Sequence, residues 1–121
     1  MPWRFHNKSP VFIQIADRIR GEILCGKYPP ESQIPPVRQL AFEASVNPNT
    51  MQHALALLED EGLIATRGTV GRFVTSDTDA LARARKTVHE GAMRSLVADA
   101  LALGITREEL IEFIQKEDTS V

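Results

Sequence analysis

Side chains that can form directional hydrogen bonds are concentrated in one short stretch, SVNPNTMQHALALLEDEGLI, which runs from Ser45 to Ile64. Its opening turn carries Asn47, Asn49, Thr50, Gln52 and His53. Asparagine and glutamine amides can pair with the edge of an adenine, and a threonine can bind a phosphate or touch a thymine methyl. The chemistry that these residues suit is therefore recognition of nucleic acid. Taken alone, they are better explained by helix capping at Asn47 and an exposed polar face.

Other kinds of chemistry have little support in the sequence. His6, His53 and His89 are far apart and lack paired ligands at metal-binding spacing, so we predict neither a metal nor a cofactor. There is no Gly-rich phosphate loop, nucleophile elbow or convergent carboxylate pair, which argues against an enzyme. Cys25, the single cysteine, stands near the end of an apolar helix and is interpreted as a core residue rather than a redox sensor.

Composition limits the classes of protein to consider. One cysteine in 121 residues allows no internal disulfide, which suits a reducing cytoplasm. No apolar run approaches the roughly 20 residues of a membrane span, and the first residues do not resemble a signal peptide. We therefore predict a cytoplasmic protein without membrane contact. The net charge of −2 means that any basic surface must come from the placement of its residues rather than from an excess.

The elements that would position the polar cluster can be read from caps and periodicity. A first helix is predicted from Ser9-Pro10 to Gly26, with Phe12, Ile15, Ile19 and Ile23 on its apolar face. A second follows Pro36, and a third begins at Asn47-Pro48 and ends at Gly62. Only Ser45 and Val46 separate the last two. This tight connection predicts a helix-turn-helix.

The pattern then changes to that of strands. The segment LIATRGTVGRFVTSD is rich in β-branched and aromatic residues around a glycine-containing turn, and predicts a hairpin with strands at 63–67 and 71–75. A short strand is also allowed around Gln33 and Ile34. The order of three helices and a hairpin predicts a winged helix-turn-helix over residues 1–76.

Residues 77–121 are predicted to form a two-helix tail. Its apolar stripe comprises Leu81, Val88, Ala92, Leu96, Ala100 and Leu103, followed after Gly104 by Leu110, Phe113 and Ile114. Thr106 and Glu109 predict a capping box at the start of the last helix. The rest of the domain is too small to cover a helical hairpin with so many apolar residues. A two-fold dimer would bury this apolar stripe. The alternative is that the hairpin folds back on its own winged helix.

Longer motifs carry a resemblance to a known family. Residues from Pro10 to Asp77 resemble the DNA-binding domain of GntR-family bacterial transcription regulators through PVFIQIADRIRGEILCGKY, IPPVRQLA, VNPNTMQHALALLEDEGLI and GRFVT. The opening WRF and the short helical tail resemble the small YtrA-type branch. The resemblance implies a homodimeric repressor whose tail is a dimerisation module rather than a large ligand-binding domain.

The resemblance also implies which residues contact DNA. By position, the family's second-helix arginine falls on Arg38, and its recognition-helix residues fall on Asn47, Asn49, Thr50, Gln52 and His53. The wing glycine falls on Gly71, beside Arg72, where the hairpin would enter the minor groove, and Arg67 is a further candidate. Two positions depart from the family pattern. Pro36 replaces a serine expected to bind phosphate, and Glu31 replaces a glycine in the turn before the second helix.

Together these features predict a mainly α protein with a small β-hairpin, formed by a winged helix-turn-helix and a C-terminal dimerisation tail. The predicted function is sequence-specific binding of a palindromic operator by a homodimeric repressor. The alternative is a winged-helix module that binds protein and does not read DNA. A third possibility is a small-molecule effector between the domains, but it is not evident, because so short a tail does not promise a pocket.

Overall fold

The computed structural model describes residues 3–117. In chain order the elements are α1 (Val11–Leu24), α2 (Val37–Ala44), α3 (Pro48–Asp60), β1 (Ile64–Arg67), β2 (Gly71–Val74), α4 (Thr78–Ala102) and α5 (Arg107–Lys116). The predicted fold class is confirmed, because three helices and an antiparallel hairpin form a winged helix-turn-helix and two further helices follow. No helix within the described range is long and apolar enough to span a bilayer.

The first helix is terminated by Gly26 as predicted but differs from its prediction at the start and in the burial of Cys25. Pro10 rather than Ser9 is the N-cap, and no side chain caps the helix. Cys25 is the C-cap and is exposed, so its interpretation as a core residue was wrong. It lies two residues beyond the buried Ile23, which is more than half a turn around the helix. The chain leaves the helix through Gly26, whose φ is +94°.

One hydrophobic core joins the first three helices to the hairpin. Its largest fully buried side chains are Ile15, Ile19, Ile34, Leu40, Met51, Leu55, Leu58 and Val74. Complete burial of a side chain such as Leu58 stabilises the fold by roughly 1.5–3 kcal/mol. The turn between α2 and α3 is short because Ser45 adopts a left-handed conformation, with φ of +59°. Asn47 then caps α3 by accepting a hydrogen bond from the Asn49 backbone N–H.

An ion pair ties α1 to the C-terminal end of α3. The Arg20 guanidinium donates to both carboxylate oxygens of Glu61, with Nε–Oε1 at 2.8 Å, and also to Asp17. The hydrogen bond to Glu61 is the main cause of a raised pKa for Arg20. The recognition helix is therefore fixed to α1 by charge as well as by the core.

The hairpin pairs Ile64 with Val74 and Arg67 with Gly71. Gln33 forms an isolated bridge with Phe73, within the segment where the sequence allowed a short strand. In the preceding turn Glu31 has φ of +68°. An L residue is disfavoured in this left-handed region, which explains physically why a glycine is expected at this position.

The chain divides into two compact units inside α4, with the first extending to Ala84 and the second beginning at Arg85. This division is later in the sequence than the 76/77 boundary expected from the pattern. Leu81, which was expected on the dimerisation stripe, is instead buried in the core of the first unit, and Ala84 packs against the same core. Leu81 is therefore unavailable to a partner.

The second unit is a helical hairpin with exposed apolar side chains. Ala100 is buried within it, whereas Val88, Leu96, Leu103, Phe113 and Ile114 are exposed. The predicted capping box is present: Glu109 N–H donates to Thr106 Oγ1 and Thr106 N–H donates to Glu109 Oε1. Hydrogen bonding to the Thr106 backbone, and then to its side chain, lowers the pKa of the Glu109 carboxyl.

Candidate nucleic-acid interface

The recognition helix α3 presents a polar stripe opposite its buried face. Asn49, Gln52, His53 and Ala56 are exposed, whereas Thr50 is half-buried. Within residues 3–117 the side-chain amides of Asn49 and Gln52 have no hydrogen-bond partner. These amides are therefore free to pair with a base edge. Asn47 is also exposed, but its side-chain oxygen is occupied by the cap on Asn49.

His53 lies at the side of this stripe that faces α1. Its ring stacks on Phe12, with 3.7 Å between centroids and 7° between planes. The sequence indicated His53 as a groove-facing residue but gave no sign that another ring would hold it. The contact joins residues that lie on different helices, which no local periodicity can reveal.

Charge is distributed unevenly along α3. Its first turn contains no acidic residue, so no carboxylate there would repel a phosphate. The backbone N–H groups of this turn are already used, because Asn49 donates to Asn47 Oδ1 and both Thr50 and Met51 donate to the Asn47 carbonyl. Its last turn and C-cap contain Glu59, Asp60 and Glu61, of which Glu59 and Glu61 are paired with arginines. Only the N-terminal turns of α3 therefore suit close approach to DNA.

Arg38 is exposed at the second residue of α2. In the described part of the chain its guanidinium has no ion-pair partner, and the nearby Glu43 instead accepts a hydrogen bond from Gln39 at 3.3 Å. Pro36, the N-cap of α2, supplies neither a hydroxyl nor an N–H at this helix start. Arg38 is thus a free cation on the helix that precedes the recognition helix.

The two wing arginines have different surroundings. The Arg72 side chain is only 17% exposed, and its Nε donates to Glu59 Oε1 at 2.5 Å. Strand alternation explains this, because Arg72 is two residues from the buried Val74 and so shares its face. Arg67 is exposed on the opposite face, with its guanidinium 4.6 Å from the centre of the Phe73 ring. Of the two predicted contacts, Arg67 is the accessible one, and Arg72 is engaged within the protein.

The backbone conformation and a close neighbouring side chain explain why residue 71 is a glycine. Its φ is +139°, and a Cβ at this position would lie 2.7 Å from Nε2 of Gln33. That nitrogen donates a hydrogen bond to the Val70 carbonyl at 2.9 Å and so braces the wing tip. Gln33 and the contacts among Glu59, Thr66 and Arg72 support the wing, and the sequence analysis did not predict this role for them. Alternation in the hairpin would have placed Thr66 and Arg72 together.

No group of histidine, cysteine and acidic residues suited to hold a metal occurs among residues 3–117. The candidate interface consists of an exposed arginine on α2, exposed side-chain amides on α3 and an exposed arginine on the wing.

Comparison with known proteins finds similar sequences over most of the chain. Residues 13–74 match the family described as bacterial regulatory proteins, gntR family. The uncharacterised HTH-type transcriptional regulator YhcF of Bacillus subtilis is 29% identical over 93% of each chain. The HTH-type transcriptional repressor YtrA of Bacillus subtilis is 29% identical over 95% of this chain and 89% of its own length.

Solved structures give the same result. A GntR family transcriptional regulator from Listeria monocytogenes is 29% identical, covers 94% of this chain and 100% of its own, and has a TM-score of 0.84. The structure of AraR(DBD) in complex with operator ORX1 is 26% identical, covers 60% of this chain and 93% of its own, and has a TM-score of 0.56. On this evidence of sequence and fold, the chain belongs to the GntR family of DNA-binding helix-turn-helix transcription regulators.

Proposed function

We propose that this protein is a cytoplasmic homodimeric repressor that reads a palindromic operator with α3 in the major groove. The observation that carries the proposal is the set of unpartnered polar groups on one surface. Among residues 3–117, the amides of Asn49 and Gln52 on α3 and the guanidinium of Arg38 on α2 have no partner. Solubility alone does not require three unpartnered polar groups beside the N-terminus of one helix.

Each group has a role that its chemistry suits. Asn49 and Gln52 would pair with base edges, and an amide pairs best with the N6 and N7 positions of adenine. Arg38 would bind a guanine or a phosphate, because its planar fork suits both. Thr50, half-buried at the first turn, would bind a phosphate or contact a thymine methyl.

On the wing, Arg67 rather than Arg72 would reach the minor groove, because Arg72 is held by Glu59. Gly71 would act by shaping the wing tip instead of contacting DNA through its own backbone.

The occupant proposed for the apolar surface of the tail is a second copy of the chain. Between α4 and α5 this surface contains a groove of about 500 Å³, whose lining is mostly apolar and includes two acidic residues: Leu96, Ala100, Leu103, Ile105, Leu110 and Phe113, with Asp99 and Glu109. Leu103 is 80% exposed and Phe113 is 64% exposed, and an apolar surface of this kind is rare on a monomer. A two-fold partner would cover it and would place two recognition helices on a symmetric site.

Repression is the proposed direction of regulation because the similar YtrA of Bacillus subtilis is named a repressor. A dimer bound across a promoter can repress simply by occupying the site.

The experiment that tests the proposal is selection of bound duplexes from a random DNA pool. We expect a palindromic consensus, and binding to it should weaken steeply with salt because phosphate contacts release counterions. If the folded protein selected no sequence even at low salt, DNA reading would be rejected in favour of the protein-binding alternative.

A further inference from the structure

Phe12 and His53 form a parallel ring stack between two helices. Their centroids are 3.7 Å apart and their planes are inclined by 7°. Phe12 is half-buried and packs against the core of the first unit, whereas His53 is exposed on the recognition helix. One ring is therefore anchored by the core, and the other lies on it at the edge of the candidate interface.

The stack restricts the orientation of the histidine. An exposed side chain on a helix samples more than one staggered χ1 rotamer, and the χ2 torsion of a histidine is broad. Contact over a whole ring face removes most of this freedom before any ligand arrives. Binding then does not have to order the side chain, which is the general source of affinity through preorganisation.

The histidine remains able to form hydrogen bonds. Among the described residues neither ring nitrogen of His53 has a partner, and the stack covers a face of the ring rather than its edge. A neutral imidazole offers one donor and one acceptor. These groups match the donors and acceptors that base pairs present in the major groove. Asn49 lies one helical turn before His53 on the same exposed stripe.

We propose that Phe12 is a positioning residue for DNA reading, which holds the imidazole of His53 in one orientation so that it discriminates at a single base pair of the half-site. The inference rests on the proposed function, since it assumes that α3 enters the groove. It adds a specificity determinant that lies on α1, outside the helix-turn-helix.

The test measures binding of full-length variants to the selected operator and to operators with each base pair replaced in turn. His53→Ala should lose discrimination at one position by roughly three- to tenfold, as expected for one hydrogen bond. Phe12→Leu and Phe12→Met should lose it at that same position. Phe12→Tyr, which keeps the aromatic platform, should retain it. The double variant Phe12→Leu/His53→Ala should lose no more than His53→Ala.

Val11→Ala is the matched control, because Val11 is also half-buried on α1 and packs against the same core. It should lower the melting temperature without changing discrimination at any position. Two results would overturn the proposal: full discrimination in both Phe12→Leu and Phe12→Met, or an equal loss at every position. The proposed function fails separately, by the absence of any consensus for the wild-type protein.

Discussion

The side chain of Arg72 on β2 donates a hydrogen bond from Nε to Oε1 of Glu59, in the last turn of α3, with the two atoms 2.5 Å apart. The same carboxylate oxygen accepts a hydrogen bond from Thr66 Oγ1 on β1 at 3.0 Å. Because Thr66 and Arg72 are opposite each other in the hairpin, one carboxylate ties both strands to the recognition helix. The position of the wing relative to α3 is thereby coupled to the Arg72–Glu59 charge pair.

A double-mutant cycle on Glu59→Gln and Arg72→Ala should reveal this coupling in the free energy of unfolding. We expect each single change to be destabilising and the double change to be less than additive, with a coupling of about 0.5–1 kcal/mol because both side chains are partly exposed. Denaturant unfolding measures it. Asp60→Asn removes a neighbouring carboxylate that has no ion-pair partner in the described part of the chain, and it should show no coupling to Arg72→Ala. Strict additivity for Glu59 would mean that the pair does not hold the wing.

Glu31→Gly should stabilise the protein by about 0.5–1 kcal/mol. The residue has φ of +68°, where an L side chain is strained and glycine is not, although glycine also gives the unfolded chain more freedom. Glu31→Ala is the matched control, because it removes the carboxylate but keeps the Cβ. It should give no comparable gain in thermal unfolding. Equal stabilisation by both variants would assign the effect to charge instead of backbone conformation.

Gly71→Ala should destabilise the wing by about 1–3 kcal/mol, since φ of +139° is a conformation that alanine rarely adopts. Adding Gln33→Ala should restore little of the loss, because it removes the close side chain but leaves the backbone strain. Gly91→Ala, in the open middle of α4, should instead stabilise by about 0.5–1 kcal/mol. Complete rescue by Gln33→Ala would show that the close contact with the Gln33 side chain, and not the backbone φ, is the reason for a glycine at position 71.

Phe113→Asp should convert the protein to a monomer by placing a charge on the apolar surface proposed to meet a second copy. Sedimentation equilibrium measures the mass directly. Phe42→Asp is the control, because Phe42 is 85% exposed but lies on α2, outside the tail. It should leave the dimer intact. A monomeric wild-type protein, or a dimeric Phe113→Asp variant, would contradict the proposed role of the tail.

Much of the fold could be predicted because its signals are local. Asn47-Pro48 marks the start of α3, Thr106 and Glu109 mark the start of α5, and alternation marks the two strands. Periodicity did not reveal where the core of the first unit ends and the exposed apolar surface of the second unit begins. The apolar repeat runs without a break from Leu81 to Leu103, yet Leu81 is buried in the first unit and Leu103 is exposed in the second.

The candidate site was predictable in its residue types but not in their partners. A free Arg38 and a paired Arg72 are alike in sequence, and the difference depends on Glu59, which lies on another element. The stack of His53 on Phe12 likewise joins α3 to α1 across the fold. Contacts between distant segments are set by packing of the whole domain, which a single sequence pattern does not encode.

The measurement that tests the central claim most directly compares Arg38→Ala with Arg107→Ala in binding to the selected operator at two salt concentrations. Both variants remove one exposed arginine, but Arg107 lies in the tail. We predict that Arg38→Ala loses about 1–3 kcal/mol of specific binding with an unchanged fold, while Arg107→Ala binds like the wild type. Equal binding by the two variants would contradict the claim that α2 and α3 form the surface that reads DNA.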